Sequence, residues 1–249
     1  MPADEHAPAP PSLRQRRRAV ATQEIVDAAE RHITEHGPAA LSLRAVARSL
    51  GMTVQALYHY FPDRDALVTV LIAKAYADVA NAVRAAAETA SPNPAVPRFV
   101  IAAEGYRRWA ITHPERFQLL YGTPLRSYEA PADGPTTRAV QQMSAVFQRV
   151  LFDGFTPEQL AAADTLPLSP PFRAHLEHLS PNGLAALPPP ATALLLSGWG
   201  HMHGLVVLEV FGHTSFLGDH QAEVFHMAMC DLVTDIHRRI PAGHAHSPG

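Results

Sequence analysis

Apolar side chains in the first part of the chain recur every three or four residues, the spacing of a helix with one buried face. The sequence predicts a first helix that opens near Thr22 and Glu24. Gly37-Pro38 is predicted to end it, since glycine is favoured just after a helix and proline just beyond. The positions predicted to share its buried face are Ile25, Ala28, Ala29, His32 and Ile33.

Two short helices are predicted to follow, over 43–50 and 54–61. Ser42 and Thr53 each precede one of them and are suitable N-caps, because a hydroxyl can accept from a free backbone N–H of the first turn. Gly51 lies between the two, where the turn requires a left-handed residue. Two short helices around such a turn form a helix-turn-helix, whose second helix is small enough to enter the DNA major groove.

The remainder of the chain is also predicted to be helical, so the expected fold class is all-α. Pro62-Asp63 ends the third helix, and a long fourth helix opens at Asp63 or Arg64. The segment 90–97 (ASPNPAVP) is rich in proline and is predicted to be a joint between two domains. Further helices are predicted over 98–112, 113–121, 136–152, 191–212 and 219–239, with short helical turns over 153–190.

Composition is typical of a globular protein of 249 residues, with 47% apolar residues and a net charge of −3. The one cysteine, Cys230, excludes a disulfide within the chain. The opening residues lack the apolar stretch of a secretory signal, so a cytoplasmic location is expected. The apolar run from Ala191 to Phe211 is long enough to span a membrane. It contains His201, His203 and Glu209, however, and we interpret it as a buried core helix, with no membrane partner.

The stretch from Leu41 to Leu67 resembles the DNA-binding domain of the TetR family of repressors, and the match runs from about Arg18 to Leu71. Its specific part is Gly51 followed by LYHYFPDRDAL over 57–67. A weaker similarity links Trp199, His203 and Gly204, together with YRRW at 106–109 and HPERF at 113–117, to the WHG-type C-terminal domain of this family.

The resemblance implies a DNA-binding domain over 14–65 and an effector-binding and dimerisation domain over 66–240. We expect disordered tails over 1–13 and 241–249. The implied partners are double-stranded operator DNA, a small and largely apolar effector, and a second copy that docks through the two C-terminal helices. The implied function is a homodimeric repressor that an effector releases from DNA.

The predicted DNA contacts follow from position on the helix-turn-helix. Gln55 is suited to pair with adenine, while Val54 or Ala56 can touch a thymine methyl group. Phosphate contacts are expected from the helix N-termini and from basic or hydroxyl side chains. Leu57, Tyr60 and Phe61 are expected to pack inward. The residues expected at phosphates are Ser42, Arg44, Thr53, Tyr58 and His59, with Arg16, Arg17 and Arg18 of the basic arm 14–18. The resemblance implies the same role for Arg64, which stands where the family commonly has a lysine.

The effector site is expected to combine aromatic side chains with a few polar groups. Its candidate residues are Tyr106, Trp109, Phe117, Tyr121, Phe147, Trp199 and His203. Trp199 and His203 are four residues apart and share a helix face. Gly200 and Gly204 would let another helix approach. Glu209, a charge in an apolar run, is expected to pair across a dimer, to touch a ligand, or to lie at an exposed edge.

Three alternatives compete with this interpretation. Fifteen histidines suggest a metal site, but no HExxH spacing or cysteine partner supports one, so no cofactor is expected. An activator, or a regulator without a ligand, would share the same N-terminal chemistry. An enzyme that kept the helix-turn-helix as a scaffold is the remaining alternative, although no catalytic motif is present.

Overall fold

The computed structural model describes residues 12–89, 96–122, 134–178 and 187–242. Over these residues the fold is all-α, as predicted, and contains no strand. The helices are α1 (Leu13–His36), α2 (Leu43–Ser49), α3 (Val54–Tyr58), α4 (Arg64–Thr89), α5 (Arg98–Thr112), α6 (Pro114–Tyr121), α7 (Pro135–Phe152), α8 (Pro157–Ala161), α9 (Pro170–His178), α10 (Pro189–Val210) and α11 (Gln221–Arg238).

Helix α1 begins at Leu13, well before the predicted start at Thr22. The cause is a capping box: the Gln15 backbone N–H donates to Ser12 Oγ at 3.2 Å, and the Ser12 N–H donates to Gln15 Oε1 at 2.7 Å. The basic arm 14–18 is therefore the first part of a helix. The predicted tail is wrong at Leu13, which is helical, while residues 1–11 lie outside the described residues.

The helix-turn-helix forms as predicted. Ser42 and Thr53 are the N-caps of α2 and α3, and Gly51 has a φ of 66° in the turn between them. Helix α3 ends at Tyr58 rather than at Phe61. The chain then continues in a tight turn, in which the N–H groups of Tyr60 and Phe61 both donate to the Leu57 carbonyl.

Helix α4 takes part in two hydrophobic cores. Its first half, from Leu67 to Ile72, packs with α1, α2 and α3, and its second half, from Ala75 to Ala87, packs with the C-terminal helices. The boundary between the two cores therefore lies within α4, between Ile72 and Ala75. Packing continues without a break across residues 65 and 66, where the sequence predicted the boundary between the two domains. The predicted joint over 90–97 lies mostly outside the described residues, because 90–95 are among those not described.

Both α4 and α10 are long and apolar enough to cross a membrane by length and composition alone. Both also serve as core helices. Val79 and Val83 of α4 and Val206 of α10 are fully buried against other helices. This packing agrees with the interpretation of 191–211 as a buried core helix.

Two glycines allow close contacts between helices within the chain. A Cβ at Gly105 of α5 would lie 2.6 Å from Ala86 Cβ of α4, and one at Gly198 of α10 would lie 3.3 Å from Ile236 Cδ1 of α11. Gly200 and Gly204 differ, because nothing lies within 4 Å of a Cβ at either position. Their open side is available to a second molecule.

We predict that Gly105→Ala lowers the free energy of unfolding by about 1–3 kcal/mol, because the added methyl group overlaps Ala86. Urea unfolding measures the loss. The matched control is the double variant Gly105→Ala/Ala86→Gly, which removes the opposing methyl group. A favourable coupling energy between the two substitutions is expected. Strict additivity would show that the contact between α4 and α5 is looser than described.

Candidate nucleic-acid interface and ligand cavity

Helix α3 presents one face to the core and the other to solvent. Leu57 and Phe61 are buried, Tyr60 is half-buried, and Tyr58 is 44% exposed. The inward packing predicted for Leu57 and Phe61 is confirmed. Among the predicted DNA contacts, Gln55 and His59 are exposed, while Val54 and Ala56 are half-buried at the first turn. A short helix held by its apolar face and open on its polar face is suited to a groove of DNA.

The predicted phosphate contacts at the two N-caps have a structural role as well. Ser42 Oγ accepts from the Ala45 N–H at 3.2 Å, and Thr53 Oγ1 accepts from the Ala56 N–H at 3.1 Å. Each hydroxyl therefore holds the first turn of its helix. Arg44 is exposed on the first turn of α2. Contact of these three side chains with DNA stays a prediction.

Arginines of α1 line a groove beside the end of α3. Arg14, Arg17 and Arg18 face His59 and Tyr60 across it. The Arg18 guanidinium donates to the His59 carbonyl at 2.9 Å and lies 5.4 Å from the Tyr60 ring centroid. Arg18 thus joins the basic arm to the helix-turn-helix. Arg16 and Arg17 are exposed on the same helix, α1.

Arg64, expected at a DNA phosphate, also has a partner inside the protein. Its Nε donates to the Leu41 carbonyl at 3.1 Å and so fixes the start of α4 to the segment before α2. The sequence did not indicate this bond, because it joins residues far apart in the chain. Its contact with DNA stays a prediction that must be compatible with this bond.

A cavity of about 230 Å³ lies between α4, α6, α7 and α10. Three of the predicted ligand residues line it: Tyr121, Phe147 and Trp199. The other lining residues were not predicted, because they come from three helices and their apolar spacing signals burial but not a cavity. These are Tyr76, Val140, Met143, Ser144, Leu195 and Leu196.

Tyr106, Phe117 and His203 form a layer next to the lining residues. The Tyr106 ring centroid lies 5.4 Å from that of Trp199, and that of Phe117 lies 4.9 Å from that of Tyr121. Trp109 does not line this cavity. It is buried against His113, with ring centroids 5.4 Å apart, and its assignment to the ligand site stays a prediction.

His203 connects the layer to the cavity wall. The Tyr106 hydroxyl and His203 Nδ1 are hydrogen-bonded at 2.8 Å, and the imidazole stacks on Trp199 with ring centroids 5.3 Å apart and 9° between the planes. Trp199 and His203 therefore share a helix face, as predicted. Burial lowers the pKa of His203, because the charged imidazolium loses its hydration.

Three tyrosines meet at this place. Burial raises the pKa of Tyr76, Tyr106 and Tyr121, so all three phenols keep their protons near neutral pH. The Tyr121 hydroxyl is buried near the phenols of Tyr76 and Tyr106, and it makes no hydrogen bond of standard geometry within the described part of the chain. The site therefore has uncharged polar groups set among apolar walls.

Glu209 pairs within its own chain and is largely buried, so the expectation of an exposed edge is wrong, while its contact with a dimer partner or a ligand stays a prediction. Arg107 of α5 donates to it in a bidentate manner, from Nε at 2.7 Å and from a terminal nitrogen at 2.5 Å. Both side chains are largely buried. A buried carboxylate needs such a partner, and here α5 supplies it from a distant part of the sequence.

A network of ion pairs joins α1, α4 and α6. Lys74 donates to Glu30 at 2.5 Å, and Arg116 lies 3.7 Å from the same carboxylate. Arg116 also donates to Asp78 at 3.1 Å. Glu30 is therefore shared between a cation of α4 and a cation of α6. Helix α6, which carries Tyr121 at its other end, is thus connected directly to the helix-turn-helix domain.

Comparison with known proteins identifies the family. Residues 25–71 match the family described as "Bacterial regulatory proteins, tetR family", and residues 99–232 match the "Tetracyclin repressor-like, C-terminal domain". The chain belongs to the TetR family. It is 34% identical over 189 residues to the HTH-type transcriptional regulator Rv1816 of Mycobacterium tuberculosis, covering 76% of this chain and 80% of that protein. This TetR-family protein is accordingly a DNA-binding transcriptional regulator, and its relatives are regulators rather than enzymes.

Solved structures agree with this assignment. The regulatory protein SCO4313 is 33% identical, with a TM-score of 0.70 over 90% of this chain and 100% of that one. RolR, solved in complex with resorcinol, is 13% identical with a TM-score of 0.51 over 91% of this chain and 98% of that one, and it shows the shared fold alone.

We predict that His203 makes folding less favourable in acid. The unfolded chain takes up a proton at His203 near the ordinary pKa of 6.5, whereas the folded chain does so only at lower pH. Unfolding therefore binds a proton as the pH falls through 6.5, and the free energy of unfolding decreases. His203→Gln should reduce this decrease between about pH 7.5 and about pH 5.5 in urea titrations. His201→Gln, at an exposed site of the same helix, is the control. An unchanged pH dependence in His203→Gln would refute the burial argument.

Proposed function

We propose that the protein is a cytoplasmic homodimeric repressor that a small-molecule effector releases from its operator. The observation that carries the proposal is the cavity between α4, α6, α7 and α10. Two of these helices, α4 and α6, also contribute Leu67, Leu71 and Leu119 to the core that holds the DNA-reading helix. A movement of α4 or α6 at the cavity wall would therefore also move residues that hold α3 in position.

The DNA side of the proposal depends on α3 and the arginines beside it. Gln55 and Tyr58 occupy its exposed face, and Arg14 and Arg17 extend the basic surface along α1. Base edges specify sequence, whereas phosphates fix position, so the two groups are expected to act differently. The exposed face of α3 is the part assigned to base edges.

The dimer is proposed to form through α10 and α11. Four residues of helix α10 lie in one row at four-residue spacing: Leu196, Gly200, Gly204 and Leu208. Helix α11 exposes Val224 and Met227. The leucines are 40% and 42% exposed, and the two glycines leave open space. Rows of this spacing pack into grooves of a partner helix, and glycine permits a close approach. A two-fold dimer would present two α3 helices to successive turns of DNA.

The effector is proposed to act by binding one arrangement of the helices more tightly than the other. RolR, which has the same fold, was solved with resorcinol, and this supports a small molecule as the occupant of the cavity. Contacts at Tyr121 would shift α6, and Arg116 of that helix is paired with Glu30 of α1. The effector would thereby alter the spacing of the two α3 helices.

We predict that Gln55→Ala weakens binding to a selected duplex by about 1–3 kcal/mol and reduces discrimination at one base pair. The duplex is obtained by selecting genomic fragments with the purified protein, and affinities are measured at a fixed salt concentration. Gln142→Ala, at an exposed glutamine of α7, is the matched control. An unchanged specificity profile in Gln55→Ala would remove α3 from base recognition.

We expect a different result for Arg14→Ala/Arg17→Ala. Affinity should fall for all sequences alike, and the slope of log affinity against log salt should become shallower by about one unit for each lost phosphate contact. Equal salt slopes in the variant and the parent protein would exclude the α1 arm from the interface.

We predict that Leu208→Glu converts the dimer to a monomer, because it introduces a carboxylate into the proposed α10 interface. Light scattering after size exclusion measures the mass. Leu166→Glu is the control, since Leu166 is 87% exposed and lies away from α10 and α11 along the chain. A Leu208→Glu protein that remains dimeric would place the interface elsewhere.

Repression itself is tested with a reporter gene placed behind the selected fragment. Deletion of the regulator should raise expression of the reporter, and restoring the protein should lower it. The opposite response would establish an activator, while the DNA-binding results would be unaffected.

A further inference from the structure

The size of the cavity limits its occupant to a compact molecule. Its volume is about 230 Å³. An apolar cavity of about 150 Å³ is enough to hold benzene, whereas drug-sized ligands occupy pockets of about 300–1,000 Å³. The space therefore fits one six-membered ring with a few further atoms more closely than it fits a larger ring system.

The walls of the cavity are aromatic on three sides. Tyr121, Phe147 and Trp199 come from α6, α7 and α10, and all three line the space. Phe147 and Trp199 form a T-shaped pair with ring centroids 5.9 Å apart, and Tyr121 and His203 form another with ring centroids 4.4 Å apart. Rings held in this way offer faces and edges to a further ring, which gains more than its buried area alone provides.

The described lining contains no ionised side chain. The polar side chains among the lining residues are Tyr76, Ser144, Trp199 and Tyr121, of which the Tyr121 hydroxyl is itself buried. The phenols keep their protons because burial raises the pKa of both. An ionised carboxylate or ammonium group would enter without a partner of opposite charge, at a large cost in hydration. An uncharged polar substituent could instead bond to one of these groups.

We propose that the cavity binds an uncharged molecule built on a single aromatic ring with one small polar substituent. This inference rests on the proposed function, because it assigns a chemical class to the effector of that same site. Three alternatives compete with this class: the volume disfavours larger ring systems, the aromatic walls disfavour aliphatic molecules, and the absence of charge among the described lining residues disfavours ions.

Four probes separate these alternatives. Benzamide has all the required features, benzoate is its charged isostere, cyclohexanecarboxamide lacks the aromatic ring, and 2-naphthamide has a second ring. Trp199 lines the cavity, and the other tryptophan, Trp109, does not. The variant Trp109→Phe therefore leaves Trp199 as the single fluorescent reporter, which reads occupancy without any DNA.

We expect benzamide to change the emission of Trp199 saturably and to raise the Tm. The other three probes should bind at least about tenfold more weakly. Benzoate, cyclohexanecarboxamide or 2-naphthamide binding as tightly as benzamide would overturn the proposal, and so would the absence of benzamide binding up to about 10 mM.

Location is tested with Ser144→Phe, which fills the cavity from α7, and with Val140→Phe in case the first variant does not fold. Gln142→Phe, on the exposed side of the same helix, is the matched control. Benzamide binding should be lost in either filled variant and kept in the control. Retained binding in a folded, filled variant would overturn the assignment of the site.

Failure of this inference is distinguishable from failure of the proposed function. Gel-shift titration with the selected duplex is run separately, with and without benzamide. Probe binding with unchanged DNA affinity keeps the ligand class and rejects release by ligand. DNA binding without any probe binding rejects the ligand class and keeps the DNA-binding regulator.

Discussion

The packing of α4 into two hydrophobic cores is the constraint on which the rest of the structure depends. Leu67 and Leu71 hold its first half under α1, α2 and α3, while Val79 and Val83 hold its second half among the C-terminal helices. A continuous helix cannot bend cheaply between the two, because each turn is fixed by backbone hydrogen bonds. The orientation of α3, the helix proposed to read DNA, is therefore tied to the arrangement of the C-terminal bundle.

Helix α6 strengthens this tie by a second route. Leu119 packs in the N-terminal core, and Phe117, two residues earlier, packs in the C-terminal core. Arg116 reaches Glu30 of α1, which also accepts from Lys74 of α4. The three helices thus share one partly buried carboxylate, and movement of α6 at the cavity would disturb apolar and ionic contacts together. Buried cores tend to adopt discrete arrangements, as a two-state regulator requires.

The parts of the fold that local sequence determines were predictable. The helix-turn-helix followed from Ser42, Gly51 and Thr53, because caps and a left-handed turn depend on near neighbours. The early start of α1 was missed although Ser12 and Gln15 have capping-box spacing. The aromatic residues Tyr121, Phe147 and Trp199 of the cavity wall were predicted, whereas the rest of the wall and the partner of Glu209 could not be. Arg107, Tyr76 and Ser144 reach these places through tertiary packing, which spacing along one helix does not report.

Hydrogen exchange along the whole chain, measured with and without the selected duplex, tests the central claim most directly. If α4 transmits a structural change from one core to the other, DNA should protect the amides of α2 and α3 from exchange. It should also change the exchange rates in the second half of α4 and in α6. Protection confined to α2 and α3, with α4 and α6 unchanged, would contradict the account.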